Sequence, residues 1–444
     1  MLNQFHDILP GSSIGDVYKD SNTQFAQIFA DTDGVINGVL EAVASQVKTD
    51  GGLLVFNPNG FTADGTVTLD GNTYIAKDVA AFGYKVIQKE NADSNVKVSA
   101  NTLENSYYKL TFDKSGAICS LIDKRVGREL VKSGRLLNQM VVFQDTPYQY
   151  DNWEMTPYHK QNKWLLKEEA EFQTLSEGDR AGFAIKKLYG KSVIIQKVYL
   201  YQDGIDRIDF VTDVDWKDKN QLLKTVFPFD VMADKASYDI QFGHVERAMH
   251  DNTSWDSARF ESSAQKWVDV SENDYGVALL NDGKYGFGVD NGELSMTILK
   301  SGSFPFDGAS DSVPTFVYSV LPHKARACDG GVVEKSYVLN RPFFVKELQK
   351  NENGRLPTEW SLLHCETKGV MIETVKCSET GDGIVIRMYE AYKERKMVKL
   401  SVPNIKEAVL CDLNEAETKK LQVIGNTVKF DIKPFEIVTI KVIL

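Results

Sequence analysis

From Phe25 onward the apolar positions recur at a helical period. Phe25, Ile28, Phe29, Val35, Ile36, Val39, Leu40 and Val43 fall on one stripe of a 3.6-residue repeat. That stripe predicts one long helix or two short ones over residues 16–48, with Asp33-Gly34 as the candidate break. A helix with a single apolar stripe does not bury it unaided, so a packing partner is expected. Thr49-Asp50-Gly51-Gly52 ends the segment, and the period then changes.

From Leu53 the pattern is that of short strands. Leu53-Leu54-Val55-Phe56 is closed by Asn57-Pro58-Asn59-Gly60, and Thr66-Val67-Thr68-Leu69 by Asp70-Gly71-Asn72. Phe82 to Ile87 follows, before a linker at Asn91-Ala92-Asp93-Ser94-Asn95. Such runs, punctuated by Gly, Asn and Asp, predict antiparallel sheet. Further on, Ile208, Phe210, Thr212, Val214 and Trp216 point one way, while Arg207, Asp209, Asp213 and Asp215 point the other. Val211 breaks the alternation. One buried and one wet face are expected there. Val193 to Tyr201 joins this strand through a hairpin signal at Gln202-Asp203-Gly204. No ten-residue helical pattern alternates with these strands, which disfavours βαβ topology. Near the end, Val428, Phe430 and Ile432 alternate, and Pro434 is expected at an edge or bulge.

Composition narrows the function classes. The chain has 444 residues, 42% of them apolar, so a real core can be buried over about two to four domains. The net charge of -11 is made of mixed acids and bases with no basic stripe, so nucleic acid is not expected as a partner. Cys119, Cys328, Cys365, Cys377 and Cys411 are odd in number and widely spaced, which suggests neither a disulfide framework nor a cysteine metal site. Free thiols point to a reducing, cytoplasmic setting. No apolar run reaches membrane-spanning length and no signal peptide is visible, so no membrane partner is expected either.

The chain opens with Asn3-Gln4-Phe5-His6-Asp7-Ile8-Leu9-Pro10-Gly11-Ser12-Ser13-Ile14. Residue by residue this is a His-Asp pair and a Pro-Gly turn, with Ser12, Ser13 and Asp16 as candidate helix caps. Taken whole, it resembles the signature of glycoside hydrolase family 38, the retaining, zinc-dependent α-mannosidases. The resemblance implies that His6 is a zinc ligand and that Asp7 hydrogen-bonds sugar hydroxyls. In that family the motif follows a catalytic α/β barrel, which supplies the remaining zinc ligands and the nucleophilic Asp. Here the motif begins at residue 3.

Later segments carry the same resemblance. Leu103-Glu104-Asn105, Tyr108-Lys109-Leu110 and Asp113-Lys114-Ser115-Gly116 look like the opening of the family's large β domain. Asp151-Asn152-Trp153-Glu154 is similar to an Asp-Ala-Trp-Asp segment of the family. Asn252 to Glu261, Trp267-Val268-Asp269 and Tyr275 to Asp282 resemble its bacterial branch. Leu321-Pro322-His323 and Pro434-Phe435-Glu436-Ile437 continue it. Gln265 stands where the family has a His, so that residue's role is not carried over. The resemblance spans essentially the whole chain and covers the C-terminal part of the family.

The expected fold is therefore mainly β: a large antiparallel β-sandwich of supersandwich type, smaller flanking β domains and an N-terminal helical segment. Four units are expected: 1–49, the end of a helical bundle carrying His6 and Asp7; 50–92, a small β domain; 93–345, the large sandwich; and 346–444, a C-terminal β domain.

The candidate chemistry is sparse. A catalytic zinc site takes about three protein ligands, and none of the six histidines opens a His-x-Asp pair. His244 and His250 are a close pair best placed on a turn or strand surface. His6 is thus one ligand of an incomplete site, and the nucleophile is missing. Tyr148, Tyr150, Asp151, Trp153 and Glu154 form an aromatic loop whose rings could stack on sugars and whose carboxylates could bind hydroxyls. A core-anchor role for Trp153 competes with that reading. Trp255, Asp256 and Arg259 read better as a buried charge pair beside an aromatic. The function expected is that of the C-terminal region of a retaining, zinc-dependent α-mannosidase, inactive on its own. Its substrate-binding residues would be Asp7, Tyr148, Asp151 and Trp153, and its partner an α-mannoside or mannosylated glycan. A homo-oligomer is compatible with this reading. The alternatives are a non-catalytic carbohydrate-binding or structural β module, and a subunit that completes its site with a separate barrel chain.

Overall fold

Gly15–Ala44 is one continuous 30-residue helix that passes through Asp33-Gly34 without a break. The computed structural model in which it lies describes residues 13–89, 94–290, 292–308 and 313–444. His6 and Asp7 lie outside the described residues. Of the stripe, Leu40 is buried and Ile36 and Val43 are half-buried, while Phe25, Ile28, Phe29, Val35 and Val39 are exposed.

The chain divides into two compact units. The first holds the described residues of Met1–Val39, Asp93–Ala236 and Arg247–Pro322, and the second those of Leu40–Ala92, Ser237–Glu246 and His323–Leu444.

In the first unit, six strands form one sheet in the order Lys163–Leu165, Gln139–Gln144, Gln221–Phe227, Glu293–Lys300, Gly286–Asp290, Ser262–Ser263. A larger sheet lies against it. Its strands in this unit run in the order Glu171–Glu177, Arg180–Tyr189, Ser192–Tyr201, Ile208–Asp215, Phe316–Lys324, Tyr275–Asn281, Trp267–Ser271. Buried polar groups tie the two sheets together. Asn138 donates to Gln196 at 2.6 Å and accepts from Thr225 at 2.9 Å and from Tyr318 at 2.5 Å. The Gln196 amide donates to the Tyr318 hydroxyl at 2.7 Å, so the members of this network satisfy one another between the layers. A five-stranded sheet built from strands between Lys97 and Glu129 completes the unit.

The hairpin expected around Gln202-Asp203-Gly204 forms, with Val198 opposite Phe210 and Tyr199 opposite Asp209. The wet face expected for the second strand does not extend to its start. Arg207 and Asp209 are buried, bonded to each other at 2.8 Å. Tyr201 and Ser319 donate to the same carboxylate at 2.5 Å and 2.6 Å. A charged side chain is tolerated in such a place only when its partners are built in, and those partners lie on neighbouring strands that alternation along one strand does not reveal.

In the second unit, Gly52–Asn57 pairs with Phe344–Leu348 on one side and Gly83–Ile87 on the other, and Glu359–Ser361 extends the sheet. Alternate side chains feed two cores. Leu53 and Val55 pack with Val67, Tyr74, Val79 and Phe343, while Leu54 packs with Val47, Tyr84 and Leu348. The sheet thus takes strands from both sides of residue 345. Beyond it, a five-stranded and a four-stranded sheet enclose a shared core that includes Ile372, Ile386, Met388, Val398, Leu400, Val428 and Ile440. Pro434 sits in the turn between Thr427–Ile432 and Ile437–Ile443, not at an edge or bulge. The two strands belong to different sheets, so the Pro ends one and redirects the chain to the other.

Candidate functional site: an aromatic loop beside the start of the helix

The loop that contains Tyr148, Asp151 and Trp153 follows the strand Gln139–Gln144 in the first unit. Its turn is built on Tyr150, which holds a left-handed φ of 54°. The Tyr150 carbonyl accepts from the backbone N–H of Trp153 at 2.7 Å and of Glu154 at 2.9 Å. A bulky residue in that conformation is uncommon and is found where surrounding contacts impose it. Those contacts come from about 70 and about 150 residues further along the chain.

Asp151 is the anchor. Its carboxylate accepts from the Phe304 N–H at 2.7 Å, from the Ser303 N–H and hydroxyl at 2.8 Å each, and from the Asn220 amide at 3.0 Å. A carboxylate has about four acceptor positions, so these four donors use its capacity. Burial opposes the Asp151 charge, but the donors outweigh burial and hold the carboxyl below the usual range. Asn152 adds two bonds, from its N–H to the Phe304 carbonyl at 3.1 Å and from its amide to the Phe306 carbonyl at 3.2 Å. Lys300 pairs with Asp145 at 2.8 Å and also donates to the Glu154 carbonyl.

The aromatic rings are gathered by this frame. Tyr150 stacks on Trp153 at 5.1 Å, and Phe304 packs against both, at 5.5 Å and 5.8 Å. Trp153 is half-buried in this cluster, and Tyr148 beside it is 94% exposed. The arrangement presents aromatic surface from a rigid loop, which is the form in which rings stack on a flat apolar ligand face at little entropic cost.

The start of the helix arrives at the same place. Tyr18 packs on Phe306 at 5.4 Å, and its hydroxyl accepts from the Ser13 N–H at 3.3 Å. A Cβ on Gly15 would lie 2.9 Å from the Phe306 ring, so this approach needs glycine. The first turn of the helix therefore packs beside the loop, while His6 and Asp7 lie outside the described residues.

Sequence alone marked Tyr148, Asp151 and Trp153, and the structure places all three on this loop. It missed Asn220, Ser303, Phe304 and Phe306. For the last three the nearest signal is the run Ser303-Phe304-Pro305-Phe306, whose aromatic density has no local periodic partner, and Asn220 carries no signal of its own.

Among the described residues no three His, Cys, Asp or Glu side chains come together to hold a metal ion. The described residues do not furnish a zinc site. His244 packs edge-on against Phe435 at 5.1 Å, and burial holds it below the usual imidazole range. His250 lies 3.7 Å from Asp256. The buried charge pair expected around Trp255 does not form. Trp255 is 78% exposed on the short helix Ser254–Ala258, which buries no residue, and Asp256 accepts from Thr253 at 2.6 Å instead. Thr253 caps that helix, so the segment is shaped by local capping and not by burial.

Residues 103–307 match the glycosyl hydrolases family 38 C-terminal domain, and residues 369–440 match the glycosyl hydrolases family 38 C-terminal beta sandwich domain. The human alpha-mannosidase 2C1 is 30% identical over 474 residues, covering 100% of this chain and 45% of that protein. Alpha-mannosidase G of Dictyostelium discoideum is 27% identical, over 100% of this chain and 47% of its own length. The chain thus spans about half the length of the curated relatives it matches. The crystal structure of an alpha-mannosidase from Enterococcus faecalis V583 superposes with a TM-score of 0.81 at 14% identity, over 97% of this chain and 61% of that one. That likeness establishes the shared fold. The chain belongs to glycosyl hydrolase family 38, of which it is the C-terminal part.

Proposed function

We propose that this chain is the region of a retaining, zinc-dependent α-mannosidase that supplies one wall of the sugar site and does not turn over substrate by itself. The observation that carries the reading is the seating of Gly15 and Tyr18 against Phe306, whose carbonyl is bonded by Asn152 of the aromatic loop. Gly15 and Tyr18, which follow His6 and Asp7 in the sequence, thus lie beside the loop that carries Tyr148 and Trp153. In this reading those two rings stack on the mannoside or its glycan. Asp151 positions the loop through its four hydrogen bonds, and Asp7 binds sugar hydroxyls. His6 is one ligand of a zinc site whose other ligands are not among the described residues. A nucleophilic carboxylate, which retention of configuration requires, comes from the half of the relatives' length that this chain does not match.

The test is metal analysis and hydrolysis of an aryl α-mannoside, on the 444-residue chain and on the same chain joined to the preceding region of a family 38 protein. The expected result is stoichiometric zinc after dialysis, and turnover with the α-anomer released first, only in the longer protein. Zinc and turnover in the 444-residue chain, both lost in His6→Ala, would overturn the reading. Saturable mannoside binding with turnover in neither protein would favour a carbohydrate-binding module.

A further inference from the structure

The outer face of the six-stranded sheet carries a cavity that the loop does not use. Register places its walls. Lys163 lies opposite Phe143, Leu165 opposite Val141, Lys224 opposite Val141 on the other side, and Ser295 opposite Val226, so these side chains share one face. The face that faces away from it, with Met140, Val142, Leu223 and Thr225, is fully buried in the sandwich. An outward sheet face is usually polar and flat. This one is a hollow of about 240 Å³ with an apolar floor that includes Val141, Phe143 and Val226. That volume is below the roughly 300–1,000 Å³ of clefts for drug-sized ligands, and suits one ring with a single substituent.

Two features give the hollow a chemistry. The first is His159, only 4% exposed and lining it. Its Nδ1–H donates to the Thr156 carbonyl at 2.6 Å, because a carbonyl can only accept. That tautomer leaves Nε2 as a lone-pair acceptor, and Nε2 is buried without a hydrogen-bond partner among the described residues. Phe143 and Phe260 fix the ring, at 5.2 Å and 5.9 Å. Burial holds the imidazole below its usual range, and the nearby Lys224 ammonium acts in the same direction, so it stays a neutral acceptor. The second feature is charge. Two of the lining cations are already paired, Lys224 with Glu261 and Arg135 with Glu293. Lys163 and Lys167 also line the hollow, and they make no ion pair among the described residues. Two point charges with three donors each suit the oxygens of a dianion.

From this geometry we propose that the hollow is a binding site for a hexose phosphate, with Lys163 and Lys167 on the phosphate, a ring hydroxyl donating to His159 Nε2, and the apolar floor under the ring face. The proposal does not rest on the mannosidase reading, and its test does not measure turnover. Calorimetric titration of the 444-residue chain with mannose 6-phosphate, mannose and inorganic phosphate decides it. One molecule of mannose 6-phosphate per chain is expected to bind at least ten times more tightly than either mannose or phosphate. The exposed double variant K163Q/K167Q is expected to weaken binding at least tenfold with an unchanged Tm. H159F keeps the ring packing and removes the acceptor, and it is expected to weaken binding several-fold. Absence of saturable binding would overturn the proposal, as would phosphate alone binding as tightly as the sugar phosphate, or full affinity in K163Q/K167Q.

Discussion

The helix Gly15–Ala44 and the strand Ile208–Asp215 are written in equally clear apolar patterns, yet they meet opposite fates. On the strand, Ile208 and Phe210 are fully buried, and even Arg207 and Asp209 at its start are enclosed and paired. On the helix, Phe29 and Val35 are 62% and 68% exposed. Burying a Val or Phe side chain contributes about 1.5–3 kcal/mol, so the helix forgoes several such contributions in the described structure while the strand collects them. Periodicity reports which face seeks cover. Whether cover exists depends on the residues that meet it, and for the strand they come from within its own unit.

The largest expected effect is on the strand. Asp209→Ala leaves the Arg207 guanidinium buried without its partner, and we expect a loss of about 3–5 kcal/mol in urea unfolding. A loss under 1 kcal/mol would mean that water reaches this end of the strand and that the contrast with the helix is overdrawn. Next comes the loop. Asp151→Asn replaces an acceptor of four hydrogen bonds, with an expected cost of about 1–3 kcal/mol. Because the folded carboxyl is held below its ordinary value, its contribution is fully present above the unfolded pKa of about 3.9 and is lost as pH falls through the lower folded value. The stability gap between the two proteins should therefore be constant from about pH 5 to 8 and shrink below about pH 4. A gap that changes between pH 5 and 8 would contradict the four-donor anchor. The smallest effect belongs to the helix, where Phe29→Ala should change stability by no more than about 0.5 kcal/mol. A cost of 2 kcal/mol or more would show that the stripe is covered in solution.

Much of the architecture was legible in sequence because sheets announce themselves by alternation and punctuation. The hairpin at Gln202-Asp203-Gly204, the run Leu53 to Phe56 and the β character of the C-terminal strands follow from local pattern alone. What local pattern does not encode is pairing at a distance. Arg207 and Asp209 read as solvent-facing because Tyr201 and Ser319, which satisfy them, are on other strands. Trp255, Asp256 and Arg259 read as a buried charge pair beside an aromatic, whereas they lie on an exposed short helix capped by Thr253. The candidate site divides the same way. Tyr148, Asp151 and Trp153 stood out as an aromatic-acidic loop, but the residues that fix their geometry, Asn220 and Ser303 to Phe306, lie about 70 and 150 positions away. The hollow around His159 left no motif at all. It is made by cross-strand register, which only the fold supplies.

The central claim is that the aromatic loop is a sugar-facing surface held rigid by Asp151, and not a core anchor. It is tested most directly by Trp153→Ala in this chain joined to the preceding region of a family 38 protein, with kcat and KM for an aryl α-mannoside measured alongside Tm. The account predicts a KM raised about tenfold or a kcat lowered to match, corresponding to roughly 1.4 kcal/mol, with Tm nearly unchanged. A large fall in Tm, with unchanged kcat and KM in the fraction that remains folded, would contradict it.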